Sequence, residues 1–353
     1  ALIANNHDIL FDNITEYEEG ILYEQFSVSD PNLYVDASQL SLWDGVYRKY
    51  SKKNKRIARP FLSKLRSICK KFELPLDVVD MREPWDYTPL DQELINSDFL
   101  PGITLDEHQI KAIRKSSRVE CGIIDVPTGG GKGEIICGIC KANDCPTTII
   151  ADQRVVIDQL KRRLELRDIR TDIGVFYAGS RPSGQTIIVG SVQSLQTPPF
   201  PTPPTIREDE KLEDFKKREE RYTNSTIKGY KTRKKNAKFL QDYVKRSEMI
   251  IVDECDKATS EPYKKLFKNY FIGRKRFGLS GTPFDDAKPV QAMVMQEHLG
   301  SVIASESRFK LVDIGRIITC DYTMMAIGPY ETDSVTFDIA REMYMVNNTH
   351  LHN

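Results

Sequence analysis

The sequence predicts an α/β protein, a doubly wound parallel sheet preceded by a small α+β unit. Short apolar runs alternate with helix-period segments from about residue 104 to 320. Most of the runs are apolar at consecutive positions, as expected of parallel strands covered on both faces. A glycine-rich turn, Val126-Pro-Thr-Gly-Gly-Gly-Lys-Gly133, joins one such run to an apolar helix. Open α/β sheets bind anionic ligands at such turns.

Residues 1–100 read as the first unit and its linker. Leu42-Trp-Asp-Gly-Val-Tyr-Arg48 has the pattern of a strand and turn, with Asp44-Gly45 at the turn. A basic run follows: Arg48, Lys49, Lys52, Lys53, Lys55, Arg56 and Arg59. Pro60 opens a helix over 61–72, with Leu62, Leu65, Ile68 and Phe72 at helical spacing. Residues 82–103 are weakly periodic and read as a linker. In the second unit, 101–316, strands are predicted at 122–126, 147–151, 174–177, 186–189, 249–252 and 276–279. Residues 197–204, Thr-Pro-Pro-Phe-Pro-Thr-Pro-Pro, are a stiff spacer. The charged stretch 207–246 reads as the helical part of an insertion, 197–246, that stands out from the core as a solvated or DNA-touching arm. A further unit, 317–353, begins with a strand at 317–327 and a helix at 334–346.

Composition narrows the class. At 353 residues, 40% apolar and 29% charged, the chain fits two or three globular domains. Zero net charge gives no global pull toward nucleic acid, so local basic blocks carry that argument. No run is long and apolar enough for a membrane span, and no signal-peptide pattern opens the chain. Seven irregularly spaced cysteines suggest reduced thiols and a cytoplasmic location. Cys137, Cys140 and Cys145 read as core residues rather than metal ligands.

Three segments carry chemistry. The backbone amides of Pro127 to Gly133 (Thr128, Gly129, Gly130 and Gly131 between) can converge on phosphate oxygens, and Lys132 can reach the β/γ-phosphates as a point charge. Met249-Ile-Ile-Val-Asp-Glu-Cys-Asp256 is an apolar strand ending in adjacent carboxylates. Asp253 is placed to hold Mg²⁺ opposite the phosphates, and Glu254 to orient and deprotonate the attacking water. Leu279-Ser-Gly-Thr-Pro283 again follows an apolar strand; Ser280, Gly281 and Thr282 can link the nucleotide site to a moving element.

In this order the segments resemble motifs I, II and III of superfamily 2 helicases and translocases. The resemblance implies a RecA-like ATP-binding motor domain at 101–316 that uses ATP and Mg²⁺. Leu105-Asp-Glu-His-Gln109 resembles the adenine-reading segment, which implies that role for Gln109. Residues 149–159, with Arg154, resemble motif Ia; Val189-Gly-Ser-Val-Gln-Ser-Leu195, with Gln193 and Ser194, resembles motif Ib. In the family these two line the path of one nucleic-acid strand. The amino-terminal unit resembles the small DNA-binding domain ahead of the motor in UvsW-like phage branch-migration helicases. There Arg48, Lys49, Lys52, Lys53, Lys55 and Arg56 would grip phosphates. Core packing is the preferred reading of Trp43.

The implied function is an ATP-dependent DNA helicase or branch-migration motor on forked or branched DNA, in the host cytoplasm if phage-encoded. The alternatives are a double-strand translocase that never separates strands and a non-hydrolysing DNA-binding module. Two departures from the family pattern bear on this. Gly133 stands where the family has a Mg²⁺-binding Thr or Ser, leaving water, Asp253 or Glu134 to substitute and predicting weakened Mg²⁺–ATP handling. About seventy residues follow Pro283, too few for a second RecA-like domain, and no arginine-rich motif VI is among them. The expectation is therefore an amino-terminal portion of a longer helicase, with 317–353 the truncated start of a second RecA-like domain; alone it binds DNA and nucleotide but does not unwind.

Overall fold

The computed structural model describes residues 1–29, 44–170, 172–177, 185–208, 210–285 and 287–317. Ala1–Ile317 form one compact unit. The strand and helix predicted beyond 317, together with Leu42 and Trp43, lie outside the described residues.

The small unit comprises β1 (Leu2–Ile3), β2 (Asp8–Leu10), α1 (Glu16–Gln25), β3 (Ser27–Ser29), β4 (Val46–Arg48), β5 (Arg56–Ala58), α2 (Leu62–Lys71) and β6 (Val79–Asp80). β5, β2, β1 and β6 form one sheet in that order, and β3 pairs antiparallel with β4. Helix α1 starts at a reciprocal cap: the Thr15 hydroxyl accepts from the Glu18 amide, and the Glu18 carboxylate accepts from the Thr15 amide. Pro60 lies in the 3₁₀ turn that leads into α2, and Leu62, Leu65 and Ile68 are buried at the expected helical spacing. The basic run forms a tight turn between β4 and β5, closed by a Ser51–Arg56 bridge.

The predicted linker is no free tether. Ile95, Phe99 and Leu100 are buried in the core of the large domain, and Trp85 donates to Glu248 at 3.2 Å. Apolar residues without periodicity escaped the sequence reading because they anchor a coil rather than an element.

The large domain follows as α3 (Glu107–Arg118), β7 (Cys121–Asp125), α4 (Lys132–Asn143), β8 (Thr147–Ile150), α5 (Arg154–Leu166), β9 (Gly174–Phe176), β10 (Ile187–Gly190), α6 (Leu212–Arg221), α7 (Lys228–Arg246), β11 (Met249–Asp253), α8 (Glu261–Lys265), β12 (Lys275–Ser280), α9 (Pro289–Leu299), β13 (Val302–Ser305) and α10 (Arg308–Asp313). Its seven strands are all parallel, ordered β13-β7-β12-β11-β8-β10-β9. This is the RecA-like doubly wound sheet. Along β11, Met249 and Ile251 enter the core on one face and Ile250 and Val252 the core on the other. Each fully buried apolar side chain contributes about 1.5–3 kcal/mol, so two covered faces explain why the strands read as unbroken apolar runs.

The insertion requires a correction. Helix α6 has no buried residue and does stand in solvent. Helix α7 instead buries Ala237, Leu240, Tyr243 and Val244 against the sheet. Its second half is thus a crossover helix leading into β11. The proline-rich spacer packs on it, with Phe200 edge-on to Tyr230 at 5.2 Å.

Candidate nucleotide and strand-binding site

Parallel pairing brings the three motifs to one edge. β12 lies between β7 and β11, with Ser280 opposite Asp125 and Leu279 opposite Asp253. All three strands therefore end together, and the turns after them face a common space. The phosphate loop turns sharply because Gly129 and Gly131 sit at φ 90° and 82°, a region other residues rarely adopt. Gly131 caps the twelve-residue helix α4, and that helix points the partial positive charge of its N-terminus at the loop.

Lys132 and Glu254 meet directly. Lys132 Nζ donates to Glu254 Oε1 at 2.7 Å. The two sequence-predicted segments are thus in contact, which a nucleotide site spanning them requires. Glu254 sits in the left-handed region at φ 51°, so the chain reverses immediately after Asp253 and presents both carboxylates at the strand end. Burial pushes the Asp253 carboxyl up, neighbouring Glu254 adds to the rise, and Lys132 opposes it. Asp253 Oδ1 is buried with no hydrogen-bond partner, a polar atom left for something else to satisfy.

The third motif presses on the first. A Cβ at Gly281 would lie 3.1 Å from Pro127 Cα and 3.2 Å from the Thr128 amide nitrogen, so a larger residue would crowd this backbone approach. Ser280 Oγ donates to Asp256 Oδ1 at 3.1 Å and accepts from the Thr282 amide at 3.2 Å. A cavity of about 570 Å³ opens beside Thr282, lined also by Asp256, Pro283, Phe284 and Lys288. It lies next to the third motif rather than over the phosphate loop.

Two predicted nucleotide residues already have protein partners. The Gln109 carboxamide accepts from the Asp106 amide at 2.9 Å, capping α3, and its NH₂ reaches the Gly130 carbonyl at 3.4 Å. It is buried against the loop, beside His108, whose Nε2 is 2.8 Å from the same carbonyl. Glu134, expected as a substitute metal ligand, is held by Arg167 at 2.8 and 3.1 Å and by Arg163 at 3.3 Å. That role is corrected: two guanidinium groups already neutralise the carboxylate. Asp253 Oδ1 suits a divalent cation, but the usual hydroxyl is missing. The residues present do not reproduce the two-ligand magnesium site. Cys137 and Cys140 are buried in the core packed around α4, and burial pushes both thiols up. No cluster of metal-ligating side chains occurs among the described residues.

Residues 102–285, just over half of the chain, match the family model described as "Type III restriction enzyme, res subunit". The chain belongs to this family of superfamily 2 helicase motors. No curated protein matches the sequence. The fold is similar to two solved structures of UvsW from bacteriophage T4. One, described as the UvsW helicase, is 15% identical, covers 84% of this chain and 96% of its own, and has a TM-score of 0.55. The other is 14% identical, covers 84% of this chain and 55% of its own, with a TM-score of 0.57. The chain therefore spans about half the length of that second structure, and at these identities the likeness is one of fold.

In the turn after β8, Arg154 begins α5, largely exposed and lying over the Tyr177 ring at 4.5 Å. Gln193 is exposed and Ser194 half-buried on a 3₁₀ turn anchored by buried Val192 and Leu195. A link that sequence reasoning missed joins the turn after β8 to the second motif. Lys257 reaches Asp152 at 2.7 Å, and Tyr263 also donates to Asp152 at 3.2 Å.

The amino-terminal basic run divides. Arg48 pairs with Asp44 (Nη1–Oδ1 2.8 Å), Lys49 with Glu297 at 2.6 Å and Arg56 with Asp8 at 3.3 Å. Lys52 lies 4.0 Å from the centre of the Tyr23 ring. Lys53 and Lys55 are exposed at the turn tip. Of the six predicted phosphate-gripping residues, Lys53 and Lys55 are therefore the best presented, and Lys49 instead ties the small unit to α9. No helix among the described residues is long and apolar enough to cross a membrane.

Proposed function

We propose that this chain is the nucleotide- and DNA-engaging part of an ATP-driven DNA helicase that acts on forked or branched DNA. The observation that carries the reading is the contact of Lys132 with Glu254 at 2.7 Å, which supports assigning them as phosphate-binding cation and general base of one site. ATP enters as substrate against the amides around Gly129–Lys132. Lys132 leaves Glu254 for the β/γ-phosphates, and the released carboxylate takes a proton from water in line with the γ-phosphate. Asp253, with its unpaired oxygen, is the candidate for holding a cation at the site. Arg154, Gln193, Ser194 and the turn at Lys53 and Lys55 supply DNA contacts. Complete turnover requires a second RecA-like domain to close over the site and supply an arginine.

A second reading, a module that binds nucleotide and DNA without hydrolysis, is favoured by Gly133. The test is ATP turnover with forked, four-way, single-stranded and linear duplex DNA, alongside strand displacement. Turnover that is greatest with branched DNA and lost in Glu254→Gln supports the motor. Turnover absent on every DNA, with nucleotide binding intact, supports the module.

A further inference from the structure

Gly133 is more than a missing ligand, because another side chain lies in its place. A Cβ at position 133 would overlap Arg163 Nη1 and would stand 2.9 Å from its Cζ and 3.1 Å from its Cδ. The guanidinium of α5 thus lies directly on the glycine, where the family's hydroxyl would project. Its lateral anchor is Glu134, contacted through Nε at 3.3 Å, while Arg167 one helical turn on takes both oxygens of that carboxylate at 2.8 and 3.1 Å. Neither Nη atom of Arg163 hydrogen-bonds to any described residue. The side chain is 43% exposed, so its guanidinium is not enclosed. Arg163 is also close enough to Asp253 to favour its ionised form.

In phosphate-loop enzymes the hydroxyl after the lysine binds the cation that bridges β- and γ-phosphate oxygens. A guanidinium there carries a permanent positive charge and a planar fork of donors suited to paired phosphate oxygens. Resting on the nucleotide-site reading above, we propose that Arg163 is a nucleotide-binding residue. It grips the β/γ-phosphates beside Lys132, so that nucleotide binding does not depend on a divalent cation. Gly133 is the complementary change, since a Cβ there would displace the guanidinium from this position.

The experiment titrates N-methylanthraniloyl-ATP into the 353-residue chain by fluorescence, once with excess Mg²⁺ and once with EDTA. Wild type is expected to bind in EDTA within about 3-fold of its affinity in Mg²⁺, whereas Arg163→Ala loses about 10- to 100-fold in EDTA, the size of a charge-assisted contact. The double variant Gly133→Thr with Arg163→Ala restores the hydroxyl in cleared space. It is expected to bind in Mg²⁺ and fail in EDTA. Arg163→Gln keeps the stem over Gly133 and separates loss of charge from loss of packing; thermal melting of each variant checks folding. Strict Mg²⁺ dependence in wild type, with Arg163→Gln and Arg163→Ala unchanged from it, overturns the proposal and leaves the nucleotide site standing. Binding that is undetectable, or equal in Lys132→Ala and wild type, overturns the nucleotide site and the proposal together.

Discussion

Removing either partner of the Lys132–Glu254 pair should have opposite effects on nucleotide binding. The Lys132 side chain is 12% exposed and Glu254 44% exposed, so their ion pair is partly screened and contributes only about 0–1 kcal/mol. A lysine–phosphate contact is charge-assisted and contributes about 1.5–3 kcal/mol. Lys132→Ala is therefore expected to weaken nucleotide binding about 10- to 150-fold. Glu254→Gln removes only the competitor for the same ammonium, so binding is expected to hold or tighten by up to about 5-fold. Turnover should nevertheless fall in Glu254→Gln by about 10²- to 10⁴-fold, the contribution of a positioned base. Fluorescent-nucleotide titration reads the first two effects, and phosphate release in the presence of DNA reads the third. If Glu254→Gln weakens binding as severely as Lys132→Ala, Glu254 shapes the loop rather than acting as a base, and the assignment fails.

Other outcomes follow from the same coordinates. His298 is buried against Phe267 at 4.8 Å with Nε2 unpaired, and burial, reinforced by Arg276, Lys49 and Lys264, lowers its pKa from 6.5 to about 3. A neutral buried imidazole supports the fold above the unfolded value of 6.5, and that support drains as pH falls toward 3, at about 1.4 kcal/mol per pH unit. His298→Phe should thus show a smaller drop in melting temperature between pH 7.5 and 5 than wild type; an equal drop refutes it. Lys53→Gln and Lys55→Gln should each flatten the slope of log DNA affinity against log salt by about 0.7–0.9, and Lys49→Gln should leave it unchanged because Glu297 already holds that ammonium.

The three motifs were legible because each is local. A buried strand, a turn and its polar residues lie within about eight positions, and parallel pairing does the rest without further sequence information. What stayed hidden depends on partners far along the chain. β13 is four residues long at the sheet edge, and its apolar run, Val302-Ile-Ala304, is only three residues long, too short to announce a strand. The packed half of α7 did leave a signal, Ala237, Leu240 and Val244 at helical spacing, but the surrounding lysines and arginines obscured it. Lys49 and Arg56 read as free cations because sequence cannot show Glu297 or Asp8 beside them. Arg163 lies thirty residues beyond Gly133, and only the packing of α5 on α4 brings it onto the loop.

A motor also needs its two sites to communicate, and the structure offers a short route. The third motif's backbone rests on Pro127 and Thr128, Ser280 ties it to Asp256, and the adjacent Lys257 reaches across to Asp152 at the end of β8. Asp152 lies two residues before Arg154, the first of the proposed DNA contacts. On the proposed function, a phosphate that shifts the loop is expected to shift the turn carrying Asp256 and Lys257, and with it the start of α5. The Lys257 side chain is 47% exposed, so Lys257→Ala should cost no more than about 1 kcal/mol of stability. It should leave nucleotide and DNA affinities measured separately near wild type. What it should lower is the factor by which nucleotide changes DNA affinity, a coupling of about 1–3 kcal/mol in allosteric proteins and reciprocal by linkage. DNA titrations with and without a non-hydrolysable ATP analogue measure that factor in both proteins. An unchanged factor would show that the nucleotide site reaches the DNA path by a route other than the Lys257–Asp152 bridge.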